Sequence, residues 1–204
     1  MRGQSGLETA CENLLYIRKT LEAAGQLTAI SGNSMIAAGF IALAGTAANG
    51  LLTGAPWSAA PHQHLALTVW GGVLVLSLAV LVTGIYRKSL QLGVPIKALL
   101  VRKLLWSLCP TLFVGALLTF YAIRFAHLEW LPVIWLGCYG AAVTNGGQVS
   151  IAPVRFMGLC LMLAAAGAAC SSPDAGLAWL AVGFGWLHIV FGAYIARSYN
   201  AGKT

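Results

Sequence analysis

Long uninterrupted apolar runs set the pattern of this chain. Between Glu22 and Arg87 there is no Asp, Glu, Lys or Arg. One membrane crossing takes about 20 apolar residues, so this stretch predicts two helices. The turn between them is marked by Gly54, Ala55, Pro56, Trp57, Pro61, His62 and His64. Four further apolar segments cover 104–123, 130–150, 154–172 and 177–196. Pro110 and Pro132, near the starts of the third and fourth spans, predict a kink or a first turn there. Barrel strands would alternate apolar and polar residues over about ten positions; these runs are continuous and rich in Leu, Ala and Gly.

The first segment is different. Over 4–28, Leu7, Ala10, Leu14, Ile17 and Leu21 fall on one helical stripe, with Glu8, Glu12, Tyr16, Lys19 and Glu22 on the opposite side. The expected fold is therefore all-α: an amphipathic interfacial helix over 1–30, then a polytopic bundle of six transmembrane helices over 31–204. The amphipathic helix either packs on the inner interface and the bundle or docks a partner or second copy.

Composition agrees. Of 204 residues, 59% are apolar and 8% charged, and the mean hydropathy is +0.81. Soluble domains carry about 25% charged residues, so a soluble domain and a disordered chain are excluded. The net charge of +7 suggests nucleic acid until the positions are read. Basic residues sit at the ends of apolar segments, without the interleaved aromatics of a nucleic-acid face. With the N-terminus inside, the inner segments hold Arg2, Arg18, Lys19, Arg87, Lys88, Lys97, Arg102, Lys103, Arg155, Arg197 and Lys203, and the outer loops hold only Arg124. The positive-inside bias then puts both termini in the cytoplasm. Trp57, Tyr86, Trp106, Tyr121, Trp130, Trp179 and Tyr199 are expected interface anchors. The linker 87–103 carries five positive charges, suiting a topology determinant or an anionic lipid site. No cleavable signal is expected, because the first residues lack a short apolar core. Cys11, Cys109, Cys138, Cys160 and Cys170 show no ligand spacing and read as small apolar groups.

No acid or base lies deep in a predicted span, which disfavours ion-coupled transport and a retinal-type Schiff base. Two small, polar faces remain. One joins Gly137, Ala141, Thr144, Asn145 and Gln148; the other joins Met35, Ala38, Gly39, Ala42, Gly45, Thr46 and Asn49. Such faces suit close helix packing, or a solute path lined by Asn49, Thr46, Thr144, Asn145 and Gln148. His188 is the histidine well inside a span, with Ala181, Gly185 and Gly192 beside it. It reads as a structural histidine bonded to Asn145 or Thr144, or as an axial ligand of haem b with Met162 opposite. His62, His64, His127, Glu129 and Asp174 share the outer side but lack metal-site spacing, so no metal is expected. His188 with Gly192 also suggests an intramembrane serine protease, but neither Ser34 nor Ser150 lies in the loop such a nucleophile needs. Gly39 and Gly158 share a similar setting that falls short of a repeat.

Two stretches, ENLLYIRKTLEAAGQLTAISG and GFGWLHIVFGAYIARSYN, are similar to the two ends of a family of small, uncharacterised bacterial six-helix membrane proteins. The resemblance implies six spans and an amphipathic start, and no activity. After Thr28 the chain departs from it, with Ile30, Ser31 and Gly32 in place of a proline-glycine turn.

The expectation for function is a non-enzymatic integral membrane protein, an accessory, anchoring or assembly subunit. Its partners would be the lipid bilayer and other membrane subunits or further copies of itself, and no nucleic acid. The alternatives are a small-solute channel or transporter, and a haem-binding redox subunit using His188.

Overall fold

A computed structural model describes residues 31–54, 57, 63–92 and 98–200. The expected amphipathic helix over 1–30, Cys11 and His62 lie outside these. The described residues form an all-helical structure: α1 Gly32–Thr53, α2 Gln63–Leu92, α3 Ala98–Arg124, α4 Leu131–Gly146 and α5 Ala152–Ala169. The last helix has three parts: α6 Gly176–Leu180, a π-helical stretch Ala181–Leu187, and α7 His188–Asn200. Short 3₁₀ turns occupy Leu128–Trp130, Gly147–Val149 and Pro173–Ala175.

Five of these helices are long and apolar enough to cross a bilayer. The sequence pattern predicts six. The difference is the fourth segment, expected over 130–150, where regular α-helix covers only the 16 residues Leu131–Gly146. Gly146 and Gly147 are poor helix formers, and beyond them Ser150 is extended, at φ −130° and ψ −168°. The 87–103 linker is also shorter than expected, since α2 runs on to Leu92 and α3 starts at Ala98.

Local sequence explains the ends. Ser31 caps α1, its hydroxyl accepting the Ser34 N–H at 3.4 Å. Gly54 closes α1 at φ 57°, donating to the Gly50 carbonyl at 3.0 Å. Pro132 lies in the first turn of α4, where a missing amide costs nothing. Pro110 falls inside α3, leaving the Trp106 carbonyl without its usual helical donor. At the end of α3, His127 N–H reaches the Ala122 carbonyl at 2.8 Å and Ala126 N–H the Ile123 carbonyl at 3.3 Å. This is a Schellman stop with Ala126, at φ 58°, where glycine is the usual residue.

Two antiparallel crossings hold the bundle, each made by glycines. A Cβ on Gly32 would lie 2.5 Å from the Gly192 carbonyl and the Ala196 amide; one on Gly39 would lie 2.7 Å from the Gly185 carbonyl. Those contacts join α1 to the last helix. On the other side, a Cβ on Gly140 would lie 2.9 Å from the Gly158 carbonyl, joining α4 to α5. Glycine lets backbones meet this closely, which is the main source of helix affinity where lipid removes the hydrophobic drive. Leu131, Leu136, Leu161, Leu180 and Ile195 fill the core. The helix α2 packs mainly on α1, and α3 mainly on α4.

Candidate functional site

His188 sits where the π-helical stretch returns to α-helix. It is 4% exposed. Its Nδ1 lies 3.2 Å from the Gly183 carbonyl and its Nε2 3.0 Å from the Tyr139 hydroxyl. A carbonyl can only accept, so Nδ1 carries the hydrogen. In the uncharged ring, Nε2 is then the acceptor and Tyr139 donates. Single-turn π insertions are common at functional positions in helices, and here the wider winding brings the Gly183 carbonyl within reach of the following imidazole.

An aromatic chain runs from the turn after α1 to this pair. The Trp57 and Trp135 rings are 5.9 Å apart, Trp135 and Trp70 6.0 Å, and Trp70 and Phe184 6.0 Å. Phe184 lies 5.4 Å from Tyr139, whose ring stacks on His188 at 5.6 Å. Trp57 is buried, and its indole donates to the Leu128 carbonyl at 2.7 Å. It is therefore a tether between two loops, where the sequence suggested an interface anchor. Trp135 donates to the Thr119 hydroxyl at 3.0 Å, fixing α3 to α4.

The expected partners of His188 need correcting. Thr144 bonds to the Gly140 carbonyl at 2.8 Å, and Asn145 is exposed; Tyr139 takes their place. Gly185 and Gly192, expected beside the imidazole, lie against α1 instead. The expected His/Met pair also turns apart: the Met162 sulfur faces the Thr144 hydroxyl at 4.0 Å, and Met162 is 43% exposed. A metal at Nε2 would have to displace Tyr139.

The five residues of the expected solute path do not converge. Thr46 donates to the Ala42 carbonyl at 2.9 Å, within its own helix. Asn49 is buried, whereas Asn145 and Gln148 are exposed. The two faces pack on different neighbours, α1 on α2 and the last helix, and α4 on α3 and α5. At the loop after α3, His127 stacks on Trp130 at 4.4 Å and pairs with Glu129 at 3.0 Å. Among the described residues, no three His, Cys, Asp or Glu side chains come together as a metal-binding group.

The sequence reading missed Tyr139, Trp70, Trp135 and Phe184. Aromatic residues in apolar spans look like core or lipid contacts, and their pairing follows from the helix crossings. No known protein family matches this chain, and no curated protein or solved structure matches it either.

Proposed function

We propose that this chain is a non-enzymatic integral membrane protein that serves as an accessory, anchoring or assembly subunit of a larger bacterial membrane complex. The observation that carries this reading is the one-sided packing of α2 and α3. Each rests mainly on one neighbour and turns a broad apolar face outward. On α3, Trp106, Phe113 and Phe120 recur every seven residues and are 73%, 64% and 69% exposed. On α2, Leu74, Leu78 and Val82 form a similar row. Supporting this, Thr46, Thr53, Thr68, Thr119 and Thr144 are bonded to their own helix backbones, and His188 and Tyr139 to each other. Those threonine hydroxyls are satisfied within their own helices, and the His188–Tyr139 bond joins the last helix to α4.

In this reading the chain crosses six times, with both termini in the cytoplasm. The α4 segment completes the count: 16 α-helical residues and the three of the following 3₁₀ turn rise about 30 Å, the thickness of the hydrocarbon core. The family resemblance and the basic inner segments point the same way. The test is purification through a C-terminal tag in mild detergent after cross-linking in membranes. A defined larger complex, or self-association through α2 or α3, is expected; a lone monomer overturns the reading. For orientation, Cys170, exposed at the end of α5, should react with an impermeant maleimide added outside intact cells. A C-terminal reporter should stay inside.

A further inference from the structure

Two polar atoms of opposite kind lie buried without a partner near the end of the bundle that carries the turn after α1. They are Asn49 Oδ1, an acceptor, and Trp70 Nε1, a donor. Asn49 is 1% exposed and Trp70 5%. In hydrocarbon such a group is strongly unfavourable unless it is bonded.

The two lie at one level. A Cβ on Gly45 would meet Val73 and Val69, and one on Gly84 would meet Ser34. This antiparallel register sets Asn49 opposite Val69, next to Trp70. The Trp70 ring is held by Trp135 and Phe184, each 6.0 Å away, so it is not free to turn elsewhere for an acceptor. Asn49 shares the buried face of α1 with Met35, Ala38, Ala42 and Gly45.

We propose that Asn49 Oδ1 and Trp70 Nε1 form a binding site for a single hydroxyl group. The hydroxyl donates to the amide oxygen and accepts from the indole. This pairing selects against other polar groups: a carboxylate or phosphate oxygen is repelled by Oδ1, and an ammonium cannot accept from the indole. The neighbours of the Trp70 ring, Trp135 and Phe184, offer no further free polar group, so anything the hydroxyl is attached to is apolar. Water and a small alcohol both offer this chemistry. The inference does not depend on the subunit reading above.

The experiment uses the full chain in nanodiscs with its tryptophan indoles labelled with nitrogen-15. The Trp70 signal is identified by its loss in Trp70→Phe. Cross-relaxation from the indole proton to hydroxyl protons is then measured before and after adding n-propanol. A hydroxyl cross-peak at Trp70, lost in Asn49→Leu with the other six indoles unmoved, is the expected result. If water is the occupant, the cross-peak is present without alcohol and propanol leaves it unchanged. If an alcohol is the occupant, cross-peaks to the propanol methylene protons grow in and saturate. Should Asn49→Leu fail to fold, Asn49→Ser is used, and the wild-type spectrum alone decides the central point. The absence of any hydroxyl cross-peak overturns the proposal. A Trp70 signal that still moves in the Asn49 variant would then mean a direct indole–amide bond, and one that stays put would mean an unpaired indole.

Discussion

Replacing Gly158 by alanine tests the glycine crossing between α4 and α5 directly. The new Cβ would lie 2.5 Å from the Thr144 amide nitrogen and 2.7 Å from the Gly140 carbonyl oxygen, where ordinary contact starts at 3.4 Å. Both neighbours are backbone, so no rotamer change relieves the clash. The helices must part by about 0.9 Å along that direction, and a gap of about 0.5–1 Å already forfeits a quarter to a half of each contact's attraction. Overpacking of this kind costs about 1–3 kcal/mol. Gly71→Ala is the matched control: nothing lies within 4 Å of its Cβ, and removing a mid-helix glycine gains about 0.5–1 kcal/mol. Both glycines are mid-helix, so that gain is common to the two substitutions, which should differ by the overpacking cost of about 1–3 kcal/mol. Unfolding in mixed micelles, followed by tryptophan fluorescence and far-ultraviolet circular dichroism, measures both. Equal stability of Gly158→Ala and Gly71→Ala would refute the close backbone contact.

Ala126→Gly should raise the thermal midpoint, because a left-handed alanine at φ 58° costs about 1–2 kcal/mol that glycine avoids; a lower midpoint would contradict the Schellman stop. Tyr139→Phe leaves His188 Nε2 without its donor, and a double-mutant cycle with His188→Phe should return a coupling of about 0.6–1.7 kcal/mol. Zero coupling there would mean the bond contributes nothing. Slight burial pushes the Glu129 carboxyl up, but its own backbone N–H, the His127 hydrogen bond and the His127 charge outweigh this and hold it below its ordinary value. The stability it contributes is therefore complete above that ordinary value and fades as the pH falls through the lowered one. Glu129→Gln should flatten this acid dependence, and an unchanged acid profile in the variant would dismiss the pair as a contributor.

The helices were legible because each apolar run is bounded by charges or turn residues. The turn at Gly54 and the first-turn position of Pro132 follow directly from local chemistry. The fourth helix is shorter than the apolar run suggests because hydropathy is blind to Gly146 and Gly147, which end the α-helix while the run continues. The small faces carrying Gly39 and Gly137 were visible as packing surfaces. Which neighbour each would meet was not, since that depends on how the helices are arranged around one another. His188 was singled out correctly as the buried histidine. Its partners were misassigned because which residue of α4 meets it depends on how α4 crosses the last helix, and on the wider winding over 181–187. Nothing in the residue types of AVGFGWL announces that winding, within which Leu136 packs against Gly183 and Leu43 against Gly185.

The π-helical stretch also works as a phase adjuster within one rod. It stores one surplus residue, so the stretches before and after it can each satisfy a separate set of neighbours. Deleting Val182 would let the rod wind evenly, at about 100° per residue throughout. The segment from His188 onward would then keep nearly its present facing, with Gly192 still against Gly32 and the imidazole still toward Tyr139. What would go is the wider turn that brings the Gly183 carbonyl to Nδ1. A one-residue shortening here should therefore do less damage than the same deletion within α7, which would turn everything beyond it by about 100°.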